Sequence, residues 1–189
     1  MYEFHEKHLP NHSFPEWTEA YKTWSAERAA RGEPHFESDY IEELYGTDPV
    51  QLTERLPRKF YWKKRGKLKD CASFKFCLVV SGRVRDLIEE LDPGINDYYP
   101  IEMENLRTGE IWPEPFWLVH VRNMVDGIDD ERSDSAKQTF RADAIADVNL
   151  WRDTRPMYRN DLFGSDRFVE ELERRGIEGI GAHPYCPAV

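Results

Sequence analysis

The sequence predicts an α+β fold, a mixed and largely antiparallel sheet flanked by amphipathic helices, with a helical N-terminal segment. Three observations predict it. Aromatic side chains recur at helical spacing near the N-terminus, short apolar runs of strand length follow after residue 60, and a strand-to-helix pattern occurs twice, as Leu78–Val84 and Leu162–Phe168. A chain of 189 residues is long enough to bury a core of its own.

The first 59 residues are predicted to form a helical, aromatic-rich segment. Proline at position 15 suits a first helical turn, and the run ends near Gly32. A second short helix is predicted from Asp39 to Tyr45. Residues 60–189 are predicted to form the α+β core, either as a separate domain or as one continuous globule with the first segment. The aromatic residues at helical spacing are Trp17, Tyr21 and Trp24.

The core is predicted to begin with a hairpin. Its strands are Phe60–Trp62 and Phe74–Val80, and its turn is Lys64–Lys67. Later strands are expected where β-branched and aromatic residues cluster, and turns where glycine or clustered acids interrupt them. The expected strands are 98–103, 116–121, 144–151 and 157–163, with a turn at 107–110 and a loop or strand edge at 126–131.

Each copy of the repeated pattern is typical of a strand end followed by a capped amphipathic helix. Ser81 and Ser165 are the predicted caps. Arg83 and Arg167 fall in the first helical turn, where the helix dipole disfavours a cation. We expect a carboxylate or a strand carbonyl to compensate each arginine, which makes these four residues structural; an anion site is the alternative. The apolar faces are Val84, Leu87, Ile88 and Leu91 in one helix, and Phe168, Val169 and Leu172 in the other.

Charge is distributed unevenly along the chain. Residues 55–69 hold eight basic side chains and no acid, so the other residues carry 18 basic against 36 acidic side chains, a balance of −18. Such a field repels nucleic acid and attracts a basic protein. An acidic cluster is therefore the first predicted partner surface, with a solvated loop as the alternative. Its members are Asp126, Asp129, Asp130, Glu131 and Asp134.

The aromatic set of the N-terminal helix is the second predicted partner surface, because Trp and Tyr often anchor interfaces. The alternative is that Trp17, Tyr21 and Trp24 are the packed face of an ordinary helix. No cofactor is expected, since the nucleophile-elbow, phosphate-loop and zinc-protease motifs are absent from the sequence. No metal is expected either, because Pro10 interrupts the helix that would align His5, His8 and His12. Cys71, Cys77 and Cys186 lack metal spacing and are expected to be reduced.

The order of these motifs resembles the immunity-protein family that is encoded beside bacterial polymorphic toxins. The resemblance covers roughly residues 74 to 185, and the long aromatic N-terminus departs from it. It rests on Phe76–Ser81 with its helix, Tyr98–Ile101, Trp117–Val121 followed by Asp126–Asp129, and Leu162–Phe168 followed by Gly176–Ile180.

The resemblance implies a cytoplasmic protein that binds and neutralises a cognate toxin domain and is not an enzyme. It brings no defined functional residues with it. The partner expected is a toxin domain, which is basic if the toxin is a nuclease. A membrane is not expected as a partner, since no apolar stretch reaches the length of a membrane helix. Nucleic acid is not expected either, since the acidic balance outside residues 55–69 repels phosphate. Two other classes stay open: a nucleic-acid-binding module that uses residues 55–69, and a small enzyme that uses Arg83, Arg167 and His120.

Overall fold

The structure is a computed structural model, and its helices and mostly antiparallel strands confirm the α+β class. It describes residues 2–6, 15–36, 39–40, 43, 58–62, 68–74, 77–133, 139–155 and 161–184. The chain forms two compact units: the first comprises Met1–Leu9, Lys67–Tyr98 and Trp117–Val189, and the second comprises Pro10–Gly66 and Tyr99–Phe116. A division of the chain into segments 1–59 and 60–189 stays a prediction.

The described residues form four helices and ten strands. The helices are α1 (Pro15–Ala30), α2 (Gly82–Leu91), α3 (Ala142–Ile145) and α4 (Asp166–Arg174). The strands are β1 (Tyr2–Glu6), β2 (Lys59–Trp62), β3 (Cys71–Phe74), β4 (Cys77–Ser81), β5 (Asp97–Asn105), β6 (Phe116–His120), β7 (Met124–Val125), β8 (Leu150–Asp153), β9 (Phe163–Gly164) and β10 (Ile180–Pro184).

A five-stranded sheet in the first unit brings both ends of the chain together. Its strand order is β10-β1-β9-β8-β7. Strand β1 runs antiparallel to β10, from Tyr2 opposite Pro184 to Glu6 opposite Ile180, whereas β7 pairs parallel with β8. The predicted helical N-terminus therefore begins only at α1. Strand β1 gives no signal in the sequence because its hydrogen-bonding partners lie almost a chain length away.

The predicted hairpin between residues 60–62 and 74–80 is wrong. Strand β2 pairs parallel with β5 in the second unit, from Lys59 opposite Glu102 to Trp62 opposite Asn105. The hairpin that forms instead joins β3 to β4, with Cys71 opposite Val80, and β4 lies between β3 and β6 in the sheet. Parallel pairing requires a long crossover, which short-range turn signals do not reveal. The predicted turn at residues 64–67 lies outside the described residues.

The strand predicted at residues 144–151 is also wrong for most of its length. Its first part is the short helix α3 followed by a turn, and only Leu150 and Trp151 enter β8. Alanine and aspartate around residue 145 favour a helical turn over a strand. The strand was predicted because apolar residues also occur there, and a short apolar run does not distinguish a strand from a helix. Of the strand predicted at 157–163, residues 157–160 lie outside the described residues and Phe163 begins β9.

The apolar faces of α2 and α4 confirm the periodicity of the sequence. Val84, Leu87, Ile88 and Leu91 are buried in α2, and Phe168, Val169 and Leu172 are buried in α4. Together with side chains from β4, β6 and β8, most of these residues form one apolar cluster in the first unit. Burial of such side chains stabilises the fold by roughly 1.5 to 3 kcal/mol each.

The two predicted capping serines behave differently. The Ser165 hydroxyl accepts a hydrogen bond from the Phe168 amide at 3.1 Å, so it caps α4. Ser81 occupies the cap position of α2, but its side chain makes no capping bond. Its hydroxyl instead donates to Asp70 Oδ1 at 2.9 Å. Ser81 therefore confirms the predicted cap in position only, and the capping hydrogen bond itself is absent. Its hydroxyl instead makes a charge-assisted hydrogen bond to a partly buried carboxylate, which is stronger than a bond between neutral groups.

The structure compensates one of the two first-turn arginines. Arg83 lies 3.4 Å from Asp70 Oδ2, which confirms the expected carboxylate. It also donates to the carbonyl of Arg175 at 2.6 Å, which belongs to the end of α4 and not to a strand. Arg167 is exposed and pairs with no carboxylate in the part of the chain that the structure describes. Arg83 thus ties the start of α2 to the end of α4, whereas Arg167 is in contact with solvent.

A second tie joins the end of α2 to the start of α4. Asp92 follows α2, is 2% exposed, and accepts hydrogen bonds from the amides of Asn149 and Leu150 at 3.1 and 2.9 Å. The Asn149 side chain also donates to Asp92 at 3.1 Å, and its Oδ1 accepts from the hydroxyl of Ser165 at 2.9 Å. The two copies of the repeated pattern are therefore interlocked at both ends.

Ion pairs at the end of α4 make its stability depend on pH. Arg174 and Arg175 donate hydrogen bonds to Glu171 and lower the pKa of that carboxyl from 4.5 to about 2. Because the pKa is depressed in the folded state, the stabilisation is present above about pH 4.5 and is lost as the pH falls toward 2. We expect Glu171→Gln to lower the urea midpoint at pH 7 and the difference from wild type to shrink between those values.

Glu170 provides the control for this titration, because it is exposed on the same helix and forms no ion pair with another described residue. Glu170→Gln is expected to leave the urea midpoint close to that of wild type at every pH. A Glu171→Gln effect of the same size at pH 2.5 as at pH 7 would contradict the assignment.

Candidate functional site

The predicted acidic surface is a loop of the first unit that follows β7. Asp126 and Asp130 extend into solvent, with 67% and 84% of their side chains exposed, and Glu131 is exposed beside them. Asp129 is more enclosed, with 17% of its side chain exposed. Asp134 lies outside the described residues. The structure thus brings four of the five predicted carboxylates onto one loop.

One arginine that the sequence analysis missed holds this loop. The Arg155 guanidinium donates hydrogen bonds to the Ile128 carbonyl and to Asp130. It also lies 3.6 Å from Asp126 and 3.6 Å from Asp153, whose side chain is 0% exposed. A single planar guanidinium, which has five N–H donors, therefore contacts three carboxylates and one backbone carbonyl.

The other side of the loop is held by hydrogen bonds to residues 139–141. The Asp129 amide donates to the Thr139 carbonyl at 2.7 Å, and the Arg141 amide donates to the Gly127 carbonyl at 2.8 Å. The Arg141 side chain donates to the Asp126 carbonyl and lies 3.5 Å from the Asp126 carboxylate. Carboxylates on a loop held in this way need little further ordering when they bind a partner.

An aromatic cluster lies beneath the same loop. Ile128 is 3% exposed and packs with Phe140, Trp151 and Phe163, each 0% exposed. Gly127 leaves little room for a side chain, because an added Cβ would lie 3.1 Å from Phe140 and the ring would have to shift. The loop therefore approaches the core closely at Gly127 and Ile128, while Asp126 and Asp130 on either side remain in solvent.

Arginine pairing reduces the net charge of the loop below the value that the sequence suggests. Asp129 pairs with Arg132 at 3.5 Å, and Asp126 and Asp130 pair with arginines as described above. Glu131 forms no ion pair with the described residues. Exposed pairs of this kind contribute about 0 to 1 kcal/mol of stability each. The loop presents defined carboxylate positions, and its field is weaker than that of five unpaired acids.

The predicted aromatic surface divides into buried and accessible parts. Trp24 is 8% exposed and packs against Tyr40, with ring centroids 5.1 Å apart. Its indole N–H donates to Glu43 at 2.9 Å. Tyr21 is half-buried, and its hydroxyl donates to the His35 carbonyl at 3.1 Å. This packing supports the structural alternative for Trp24; the side chain of Trp17 lies outside the described residues.

The described part of the basic stretch 55–69 does not resemble a nucleic-acid surface. Phe60 is 1% exposed, so its ring cannot stack on a base. Lys59 binds Glu102 at 2.9 Å and Glu104 at 2.8 Å, and these carboxylates raise the pKa of the Lys59 ammonium above its usual range. A lysine held by two carboxylates is a poor phosphate ligand. Residues 55–57 and 63–67 lie outside the described residues.

The candidate residues for an enzyme have separate surroundings. His120 is 6% exposed, and its Nδ1 lies 3.4 Å from Asp97 Oδ2. Arg83 is engaged with Asp70 and the Arg175 carbonyl.

Within the described residues, no group of three or more His, Cys, Asp or Glu side chains has the geometry to hold a metal ion. In the same part of the chain, no helix has the length and apolarity needed to cross a membrane. Burial raises the pKa of the Cys71 thiol, which is free and buried, so it is a poor nucleophile.

Comparison with known proteins identifies one family. A family model described as an immunity protein family, Imm11, matches residues 7–184 of the chain. No protein with curated annotation matches it. The match includes α1 and the acidic loop, and it extends well beyond the residues on which the sequence resemblance rests.

Proposed function

The chain belongs to the Imm11 immunity protein family, and we propose that it neutralises its cognate toxin by covering the active site of the toxin domain. The family gives the chain a toxin-neutralising immunity role with a toxin protein as partner. The chain acts as a non-enzymatic inhibitor, by steric occlusion, in the cytoplasm of the cell that makes it.

The observation that carries the proposal is the family match over nearly the whole chain. The geometry of the acidic loop supports a role in binding. Asp126, Asp130 and Glu131 lie in solvent on a backbone that Arg141 and Arg155 hold in place. An ordered set of exposed carboxylates fits a basic partner surface and loses little conformational entropy on binding.

Electrostatic attraction at such a surface affects the association rate more than the final affinity. The chain carries a net charge of −10, so a basic toxin domain is attracted at distances of about a Debye length, roughly 10 Å at 0.1 M salt. The loop carboxylates then direct the final approach. A toxin domain that lacks a basic surface would gain nothing from this mechanism.

Neutralising the exposed carboxylates tests the role of the loop. We expect Asp126→Asn, Asp130→Asn and Glu131→Gln, combined in one variant, to slow association with the toxin domain about tenfold at low salt. The difference from wild type is expected to shrink as the salt concentration rises. The measurement is stopped-flow association with the toxin domain from the adjacent reading frame, at 20 and 300 mM salt.

A variant with the same change in charge elsewhere is the control. Asp143, Asp147 and Glu170 are exposed in the same unit and outside the loop, and their amide replacements are expected to slow association less than about threefold. Equal association rates for the loop variant and this control would exclude a specific role of the loop. A folded wild-type protein that fails to bind the toxin domain or to protect its substrate would exclude the proposed function itself.

A further inference from the structure

An exposed apolar patch lies in the second unit, around the turn that follows β5. Leu106 and Ile111 are 41% and 45% exposed. Next to Ile111, a shallow groove of about 380 Å³ has an apolar lining that includes Pro100, Trp112, Pro113 and Pro115. Large apolar side chains that cluster in this way mark interaction surfaces, whereas single ones are common on any protein.

The backbone of this patch is well ordered by its own hydrogen bonds. The Asn105 amide donates to the Glu110 carbonyl at 2.8 Å, and the Trp112 amide donates to the Met103 carbonyl at 2.8 Å. Gly109, at the turn, has a φ of +69°, which favours glycine there. The apolar side chains are therefore presented on a fixed hairpin, and little ordering is needed when a partner binds.

Charged residues at the edge of the patch indicate what it fits. Residues 99–116 contain four glutamates and one arginine. Lys59 pairs with two of the glutamates, Glu102 and Glu104. Glu110 and Glu114 are exposed on either side of Ile111, Trp112 and Pro113, and neither forms an ion pair with the described residues. Arg58 is also exposed and lines the groove together with Glu114.

We propose that this patch is a second contact surface for the toxin domain. It takes an apolar side chain of the toxin that is flanked by a lysine or arginine. The inference rests on the proposed function. An apolar centre with a charged rim is the usual composition of an energetic hot spot. Glu110 and Glu114 attract the flanking cation, and Arg58, which also lines the groove, donates to a backbone carbonyl of the toxin beside it.

Two variants test the two halves of this inference. Leu106→Ser with Ile111→Ser removes the apolar centre, and Glu110→Gln with Glu114→Gln removes the two exposed carboxylates. We expect the apolar variant to weaken the affinity for the toxin domain at least tenfold, mainly through faster dissociation. The charge variant is expected to weaken it about threefold, and this effect disappears at high salt. The measurement is surface plasmon resonance with the immobilised, catalytically inactive toxin domain.

Phe36 supplies the matched control, because it is an apolar residue 72% exposed in the same unit and lies outside the patch. Phe36→Ser is expected to leave the affinity within twofold of wild type, and thermal unfolding verifies that all variants fold. If the wild-type protein binds and the apolar variant binds with the same affinity, the patch is not a contact surface, and the proposed function still stands. A wild-type protein that binds no toxin domain would overturn both.

Discussion

Replacing Asp92 by alanine is expected to lower the free energy of unfolding by about 3 kcal/mol. Asp92 is 2% exposed and accepts hydrogen bonds from the Asn149 amide, the Leu150 amide and the Asn149 side chain. Alanine leaves the buried Leu150 amide and the partly buried Asn149 amide without this acceptor, whereas the Asn149 side chain keeps its bond to the Leu91 carbonyl. Each unsatisfied donor costs about 1 to 3 kcal/mol. For a chain of this size the loss corresponds to a melting temperature lower by roughly 6 to 12 °C.

The size of the Asp92 effect is set by its position between the two helices. Its carboxylate connects the end of α2 to Asn149, and Asn149 in turn binds Ser165 at the start of α4. Asp86→Ala provides a control, because Asp86 lies in the same helix with 64% of its side chain exposed, and we expect a change below about 0.5 kcal/mol. Urea unfolding measures both. Similar losses for Asp86→Ala and Asp92→Ala would show that the buried hydrogen bonds are not what stabilises this junction.

Replacing Arg155 by glutamine is expected to lower the free energy of unfolding by about 3 kcal/mol and to loosen the acidic loop. Asp153 is 0% exposed and lies 3.6 Å from the Arg155 guanidinium. Without the arginine, its buried carboxylate retains, among the described residues, only backbone donors, from Gly127 at 3.3 Å and from residue 155 at 2.9 Å. Breaking a buried ion pair from one side leaves an uncompensated charge, which costs more than the pair contributes.

A double-mutant cycle separates this pairing from other effects of the substitution. Asp153→Asn with Arg155→Gln is expected to be more stable than the sum of the single losses predicts, by about 1 kcal/mol or more. Arg132→Gln is the control, because Arg132 pairs with Asp129 while 61% of its side chain is exposed. Hydrogen exchange of the amides from 126 to 133 reports the loop directly, and we expect faster exchange in Arg155→Gln alone. Additive losses with unchanged exchange would contradict the assigned role of Arg155.

Local patterns in the sequence were sufficient to predict the buried faces of α2 and α4 in the first unit. The spacing of Val84, Leu87, Ile88 and Leu91 predicts the buried face of α2, and the structure buries all four. The same holds for Phe168, Val169 and Leu172 in α4. These predictions succeed because helical periodicity is a property of neighbouring residues, and because apolar side chains at that spacing can be removed from water together.

The sequence was less informative about the candidate surfaces. The acidic cluster is visible in the sequence, but Arg155 is 25 residues away from Asp130 and shares no motif with it. Likewise, composition makes Trp24 a candidate anchor, and only its packing against Tyr40 and Glu43 shows that its ring is enclosed. Such pairings depend on which strands and helices become neighbours, and periodicity does not encode that.

Composition and short-range order are sufficient to predict the α+β class, the two amphipathic helices, the acidic balance and the resemblance to immunity proteins. Only the folded chain shows that β2 pairs with β5, that the Ser81 hydroxyl donates to Asp70, and that Arg141 and Arg155 hold the acidic loop. Strand pairing, ion pairing and side-chain hydrogen bonds of this kind join residues that are not neighbours in the sequence, and the packing of the whole core selects them.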